Sequence, residues 1–162
     1  QVASWVDVRT PASSESLCLH DGNPIFRLEP DVLLHAAGQR WVLDMKWKRL
    51  DGSNREGKYG LSQADFYQLF AYGLKYQGGH GQMALIFPWS ESFAWPLAPF
   101  HFGSDLVLHV LPFDLDADRL IGWDVLQIPL RKPPAVHLPA VMGVSNSGAR
   151  GRHPLPQFVH GR

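Results

Sequence analysis

Residues 82–88 read QMALIFP, an almost continuous apolar run that stops at a proline. A short run with no polar face is expected of a strand buried on both sides, so it demands the interior of a sheet and a layer above and below it. A chain of 162 residues that is 45% apolar and 12% aromatic can supply such layers from a single domain.

Upstream of this run, residues 17–20 (LCLH) and 25–34 (IFRLEPDVLL) carry strand character on either side of the turn signal DGNP, which predicts a hairpin. Residues 41–47 alternate. Trp41, Leu43, Met45 and Trp47 share one face, and Val42, Asp44 and Lys46 share the other. Between them HAAGQR supplies a turn. Centring it between Ala37 and Gly38 makes paired positions sum to seventy-five, with Asp31 opposite Asp44 and Glu29 opposite Lys46, as its cross-strand partner first and a further acidic group second.

The polar, glycine-rich segment DGSNREGKYG (51–60) is expected to be mobile. A helix follows, opened by Ser62 with Asp65 three residues on and closed by Gly78 and Gly79. Phe66, Leu69, Phe70 and Leu74 form its expected apolar face, while Asp65, Gln68 and Tyr72 fall on a polar stripe. FAWPL (93–97) and LVLHVLPF (106–113) read as further strands, with DLDADR (114–119) a turn. Two strands, a helix and a buried strand predict an α/β domain with a mixed sheet over residues 1–130. From Arg131 the chain turns rich in Pro and Gly and loses periodicity, which predicts a basic, poorly ordered tail over 131–162.

Asp44 and Lys46 are the charges that need an explanation, because the strand around them is apolar. Two carboxylates side by side on neighbouring strands repel unless a cation lies between them. Asp31 and Asp44 so placed would suit a hard divalent ion such as magnesium, which takes a few protein oxygens and keeps waters for a phosphate. Lys46 beside them could orient the attacking water or balance charge on the phosphate, the chemistry of phosphodiester hydrolysis. Taken alone, D-x-K recurs in many soluble chains and is most simply a half-exposed strand with a salt bridge.

The context adds to this. Pro30-Asp31, a hairpin-length gap and then Asp44-Met45-Lys46 resemble the PD-(D/E)xK nuclease signature. Gln68-Leu69-Phe70-Ala71-Tyr72 looks like the Q-x-x-x-Y element of its RecB-like branch. FRLEPDVLL, WVLDMKWKRL, YGLSQADFYQLFAYGLKY and LIFP, in that order over residues 25–88, are similar to the McrC subunits of McrBC-type 5-methylcytosine restriction systems. The resemblance implies a restriction-endonuclease-like core, a central mixed sheet flanked by helices. It implies that Asp31, Asp44 and the Met45 carbonyl bind magnesium, with manganese as an alternative, that Lys46 assists catalysis, and that Gln68 and Tyr72 support the site. It further implies DNA as substrate and a GTP-driven AAA+ motor, McrB, as partner, with this chain forming the nuclease portion.

Two other readings stay open: a RecB-like repair or resolvase nuclease without a motor, and a non-catalytic adaptor that keeps the fold. Lys48 and Arg49 are candidate DNA-backbone contacts, with a solvated strand end as an equal account. Gln63 and Tyr67 read as exposed helix polarity, and His109 as a core or surface histidine. The tryptophans, Trp41, Trp47 and Trp95 among them, read as core rather than as base-stacking platforms. No P-loop occurs, so no nucleotide cofactor is expected.

Five of the fifteen Lys/Arg and none of the fifteen Asp/Glu fall from Arg131 onward, so the body is mildly acidic and lacks the bulk charge of a protein held on DNA by electrostatics alone. One cysteine, Cys18, excludes an internal disulfide framework, and no run approaches bilayer-spanning length. A cytoplasmic protein without a membrane anchor is the expectation. The chain opens on Gln1, which suggests a portion of a longer protein.

Overall fold

The computed structural model describes residues 6–9 and 15–129. The tail expected over 131–162, and with it the domain boundary at residue 130, lie outside the described residues.

The β-strands are β1 (Asp7–Arg9), β2 (Glu15–His20), β3 (Asn23–Leu28), β4 (Val32–Ala36), β5 (Gln39–Met45), β6 (Gly81–Pro88), β7 (Phe100–Phe102), β8 (Leu106–Asp114) and β9 (Arg119–Leu120), with one α-helix, α1 (Gln63–Gln77). A seven-stranded sheet runs in the order β1-β4-β5-β6-β8-β7, with β9 also on β8, while β2 and β3 form a separate two-stranded sheet. β5, β6 and β8 are mutually parallel and the remaining pairings antiparallel, so the sheet is mixed as expected.

The β4–β5 hairpin has the predicted register, Val32 facing Leu43 and Ala36 facing Gln39. Its turn is set by Ala37 and Gly38, both at positive φ (49° and 76°), the two-residue geometry that matches strand twist. The single strand expected over 25–34 is broken at Glu29-Pro30-Asp31. Pro30 has no N–H for a ladder, and there the chain leaves the small sheet for the large one. Glu29 therefore never faces Lys46; it is exposed and pairs with Arg27 at 3.4 Å.

Helix α1 starts as its sequence requires, with the Ser62 hydroxyl accepting from the Asp65 N–H at 3.2 Å. It ends at Gly78 in the left-handed region, where the Gly79 N–H returns to the Gly73 carbonyl at 3.0 Å. Its buried stripe is Leu69, Tyr72, Gly73 and Tyr76, whereas Phe70 and Leu74 are 41% and 50% exposed. The expected apolar face is thus rotated. Gly73 is the reason: a Cβ there would lie 2.5 Å from Leu106 Cδ2 and 3.0 Å from Met83 Sδ, so the helix seats on the sheet through this residue. The two tyrosines can join the core because their hydroxyls find partners. Tyr76 donates to the Leu28 carbonyl at 2.5 Å and accepts from the Glu15 N–H at 2.9 Å, tying the β2–β3 hairpin to α1.

The core forms two layers. Val42, Leu69, Tyr72, Met83, Leu85, Leu108 and Val110 lie on the α1 side. Trp41, Leu43, Ala84, Ile86, Leu111 and Leu126 fill the opposite side. A sheet flanked by helices would carry them on that second face too, but among the described residues a single 3-10 turn, Trp123–Leu126, covers it. The Trp41 indole N–H donates to the Leu126 carbonyl at 2.7 Å and fixes the turn in place. Met83–Phe87 of β6 are buried on both faces, as the apolar run required.

Residues 93–97 are not a strand. Pro96 lacks a ladder donor, and the nearest strand is Phe100–Phe102 on the edge of β8. The 51–60 loop closes on itself, with hydrogen bonds from the Asp51 N–H to the Tyr59 carbonyl (3.1 Å) and from the Tyr59 N–H to the Asn54 carbonyl (2.7 Å). No helix among the described residues is long and apolar enough to cross a membrane.

Candidate active site

The hairpin register and the break at Pro30 bring Asp31 to the end of β5. Its Oδ2 accepts the Met45 N–H at 2.7 Å, so it flanks the same turn of backbone from which Asp44 projects. Asp44 lies on the α1 face at the carboxyl end of β5, with its side chain 4% exposed. Lys46 points the same way. Its ammonium sits 2.5 Å from Asp44 Oδ2, yet that oxygen accepts no hydrogen bond of normal angle and is fully buried. Burial pushes the Asp44 carboxyl above the usual carboxylate range against the pull of Lys46, and the charges of Asp31 and Asp65 add to the rise.

The helix completes the arrangement. Lys46 Nζ donates to Gln68 Oε1 at 3.0 Å, and Gln68 Nε2 donates to the Tyr72 hydroxyl at 2.8 Å. Gln68 therefore holds the lysine from one side while Asp44 holds it from the other. Tyr72 is 2% exposed, and burial together with the Asp44 charge pushes its phenol up to about 12, so it stays neutral at any working pH.

Lys48 is tied down as well. Its ammonium pairs with Asp65 at 2.9 Å and lies 5.8 Å from the centre of the Phe87 ring. Burial pushes Asp65 up, but Lys48 and Ser62 outweigh it and hold the carboxyl below its usual range. Arg49 is exposed. Gln63 and Tyr67 hydrogen-bond to each other on the exposed side of the helix, away from Asp44. His109 is buried, with Nε2 2.9 Å from Gln82 Oε1, and burial lowers its pKa, which makes it a neutral core histidine.

The donor set fits a hard divalent ion. It offers a nearly buried carboxylate, a second carboxylate on the neighbouring backbone whose charge acts on it, and an ammonium 2.5 Å from the first that offsets its charge. Among the described residues no group of three or more His, Cys, Asp or Glu side chains gathers, so protein ligands would be few and the remainder water or substrate. Asp44 is nearly buried while the Lys46 side chain beside it is 24% exposed. A cleft of ≈690 Å³ lies at the opposite end of the sheet, beside Arg40, Lys75 and His80.

Apolarity and size place tryptophan in the core, and this holds for Trp41 but fails for Trp47, Trp89, Trp95 and Trp123, all of them exposed. Trp47 is 79% exposed and Trp95 75%.

The model of the family described as "McrBC 5-methylcytosine restriction system component" matches residues 1–88. No curated protein matches. Among solved structures the chain is similar to a "refined half-complex from tetradecameric assembly of Thermococcus gammatolerans McrB AAA+ hexamers with bound McrC". The TM-score is 0.51 at 12% identity, over 75% of this chain and 27% of that one. The chain thus spans about a quarter of that structure's length, and at this identity the likeness speaks for the fold.

Proposed function

Since the chain belongs to the McrBC 5-methylcytosine restriction system component family, we propose that it is the McrC-like nuclease portion of such a system, with a PD-(D/E)xK site that hydrolyses DNA phosphodiester bonds. The observation that carries this reading is Asp44: a nearly buried carboxylate paired with Lys46 at 2.5 Å and neighboured by Asp31 at the end of a parallel strand. A merely structural salt bridge would not need the second acid or the buried oxygen. The family match and the fold shared with a McrB–McrC assembly support an AAA+ GTPase motor as partner.

Asp31 and Asp44 would hold magnesium or manganese, with the Met45 carbonyl as a further ligand. Such an ion, when bound, neutralises charge on the phosphate and lowers the pKa of a water. Lys46 carries a positive charge to the phosphate and orients the attacking water. Gln68 sets the direction of the ammonium through its 3.0 Å contact, and Tyr72 sets Gln68. Gln68 and Tyr72 are therefore positioning residues.

The test is cleavage of methylated DNA by this chain mixed with the family's motor subunit, GTP and magnesium. Asp44→Ala and Lys46→Ala are expected to abolish cutting while leaving GTP hydrolysis by the motor intact. Cutting that survives Asp44→Ala would refute the site, and cutting without motor or GTP would favour a nuclease that acts unaided.

A further inference from the structure

Residues 46–49 read KWKR, three cations around one aromatic, and the structure separates their roles. Lys46 turns toward Asp44 and Gln68, and Lys48 toward Asp65. Trp47, between them, is 79% exposed. Exposure alone says little, since Trp95 is 75% exposed as well, so what lies around Trp47 decides whether its face can serve a ligand.

The surroundings say what kind. Trp47 borders a small apolar cleft of ≈100 Å³ at the carboxyl ends of β5, β6 and β8, shared with Met45, Ile86, Pro88, Phe113, Leu115 and Lys46. Met45 and Leu115 there are 45% and 57% exposed. The cleft holds about three waters' volume, too little to enclose a base or a large side chain. The exposed indole is a surface to lie against. Lys46 lines this cleft and its ammonium pairs with Asp44, so the apolar surface adjoins the candidate phosphate site. Trp47 follows Lys46 directly but lies with Met45 and Ile86 on the side away from α1, so a ligand that reaches both crosses the carboxyl end of β5. A ligand with a phosphate at Asp31, Asp44 and Lys46 and a flat apolar face next to it matches both halves, and a nucleotide in a DNA strand has that chemistry. Stacking on an indole needs an unpaired or displaced base, since a paired base has its faces covered by neighbours.

Resting on the nuclease reading above, we infer that Trp47 is a base-stacking residue of this site, taking the face of an unpaired nucleobase next to the phosphate at the acid pair.

The experiment uses the full chain in calcium, with single-stranded oligonucleotides carrying one 2-aminopurine at successive positions, or an abasic unit at the same positions. Anisotropy reads binding and 2-aminopurine quenching reads stacking. Trp47→Ala is expected to weaken binding roughly 5- to 150-fold and remove the quench at one position, while Trp47→Phe keeps part of both. An abasic unit at that position should weaken the wild type to the level of Trp47→Ala and leave the variant unchanged, a coupling that a general surface effect does not produce. The melting midpoint and magnesium binding of Trp47→Ala should match the wild type, whereas Asp44→Ala should lose magnesium binding.

Equal binding and quenching by wild type and Trp47→Ala would overturn the assignment. So would a loss that ignores the abasic unit, or a wild type that binds no probe, or a Trp47→Ala defect confined to association with the motor subunit. In each case intact magnesium binding would leave the nuclease reading standing. Loss of magnesium binding in the wild type would remove that reading instead.

Discussion

Asp44→Asn should invert the response of this protein to magnesium. The substitution keeps the shape of a side chain that is 4% exposed and removes its charge. In the metal-free protein the carboxylate has one buried oxygen with no hydrogen bond, relieved in part by the Lys46 ammonium at 2.5 Å. An unsatisfied buried polar group costs about 1–3 kcal/mol, so in EDTA at neutral pH the Asn variant should equal the wild type or exceed it by up to that amount. The sign follows from the titration. A carboxyl raised above its ordinary 3.8 favours the fold while protonated and counts against it as pH climbs through the raised value. The advantage of Asn should therefore be largest near pH 7 and disappear below roughly pH 4. Magnesium reverses the order: at a hundred times its dissociation constant it should stabilise the wild type by ~2.7 kcal/mol, or ~8 °C in melting temperature, and leave the variant unmoved. Calorimetric melts in EDTA and in magnesium, repeated at pH 4 and 7, measure all of this. A metal-free variant less stable than wild type by more than ~1 kcal/mol would show Asp44 to be a structural ion-pair member, and equal magnesium responses would show that it is not a ligand.

Gln68→Ala should reduce motor-dependent cleavage roughly 10- to 100-fold with magnesium binding retained, because it frees the Lys46 ammonium without touching the acids; calorimetry alongside a cleavage assay separates the two. Tyr76→Phe removes a hydroxyl that serves the Leu28 carbonyl and the Glu15 N–H, and should cost ~1–3 kcal/mol with faster amide exchange across Glu15–Leu28 than in β6. Leu69→Ala, at a fully buried position between α1 and the sheet, should cost ~2–5 kcal/mol in denaturant unfolding.

The parts of this fold that are legible in the sequence are those set by local chemistry. The hairpin turn at Ala37-Gly38 fixes a register that places Asp31 by Asp44, because period-two alternation leaves no freedom once the turn is set. The Ser62 cap, the Gly78 stop and the fully apolar β6 are legible for the same reason. The failures share a cause too. Hydropathy places Phe70 and Leu74 inside and Tyr72 outside, but the helix is seated by Gly73, a residue with no hydropathic signal, and a tyrosine is core wherever its hydroxyl finds a partner. Strand β1, three residues of Asp-Val-Arg, carries no pattern of its own and exists through pairing with β4. Trp47 escapes a hydropathy reading because size and apolarity predict burial on average and are silent about any one residue.

The rotated helix face also explains how a site can be built at the end of this sheet. Leu69 and Tyr72 belong to the core that holds α1 down, and Gln68 stands beside them on the same turn. The link from Tyr72 to Gln68 to Lys46 to Asp44 is made of contacts of 2.5–3.0 Å, with both ends, Tyr72 and Asp44, buried. Such a chain positions an ammonium without relying on a loop, since each member is set by one already fixed. Asp31 reaches the same spot by a different route, from the proline break that moves the chain between sheets. The two acids are thus placed by different devices, strand β5 for Asp44 and a switch of strand for Asp31, while helix packing places the Gln68 that holds Lys46 against Asp44.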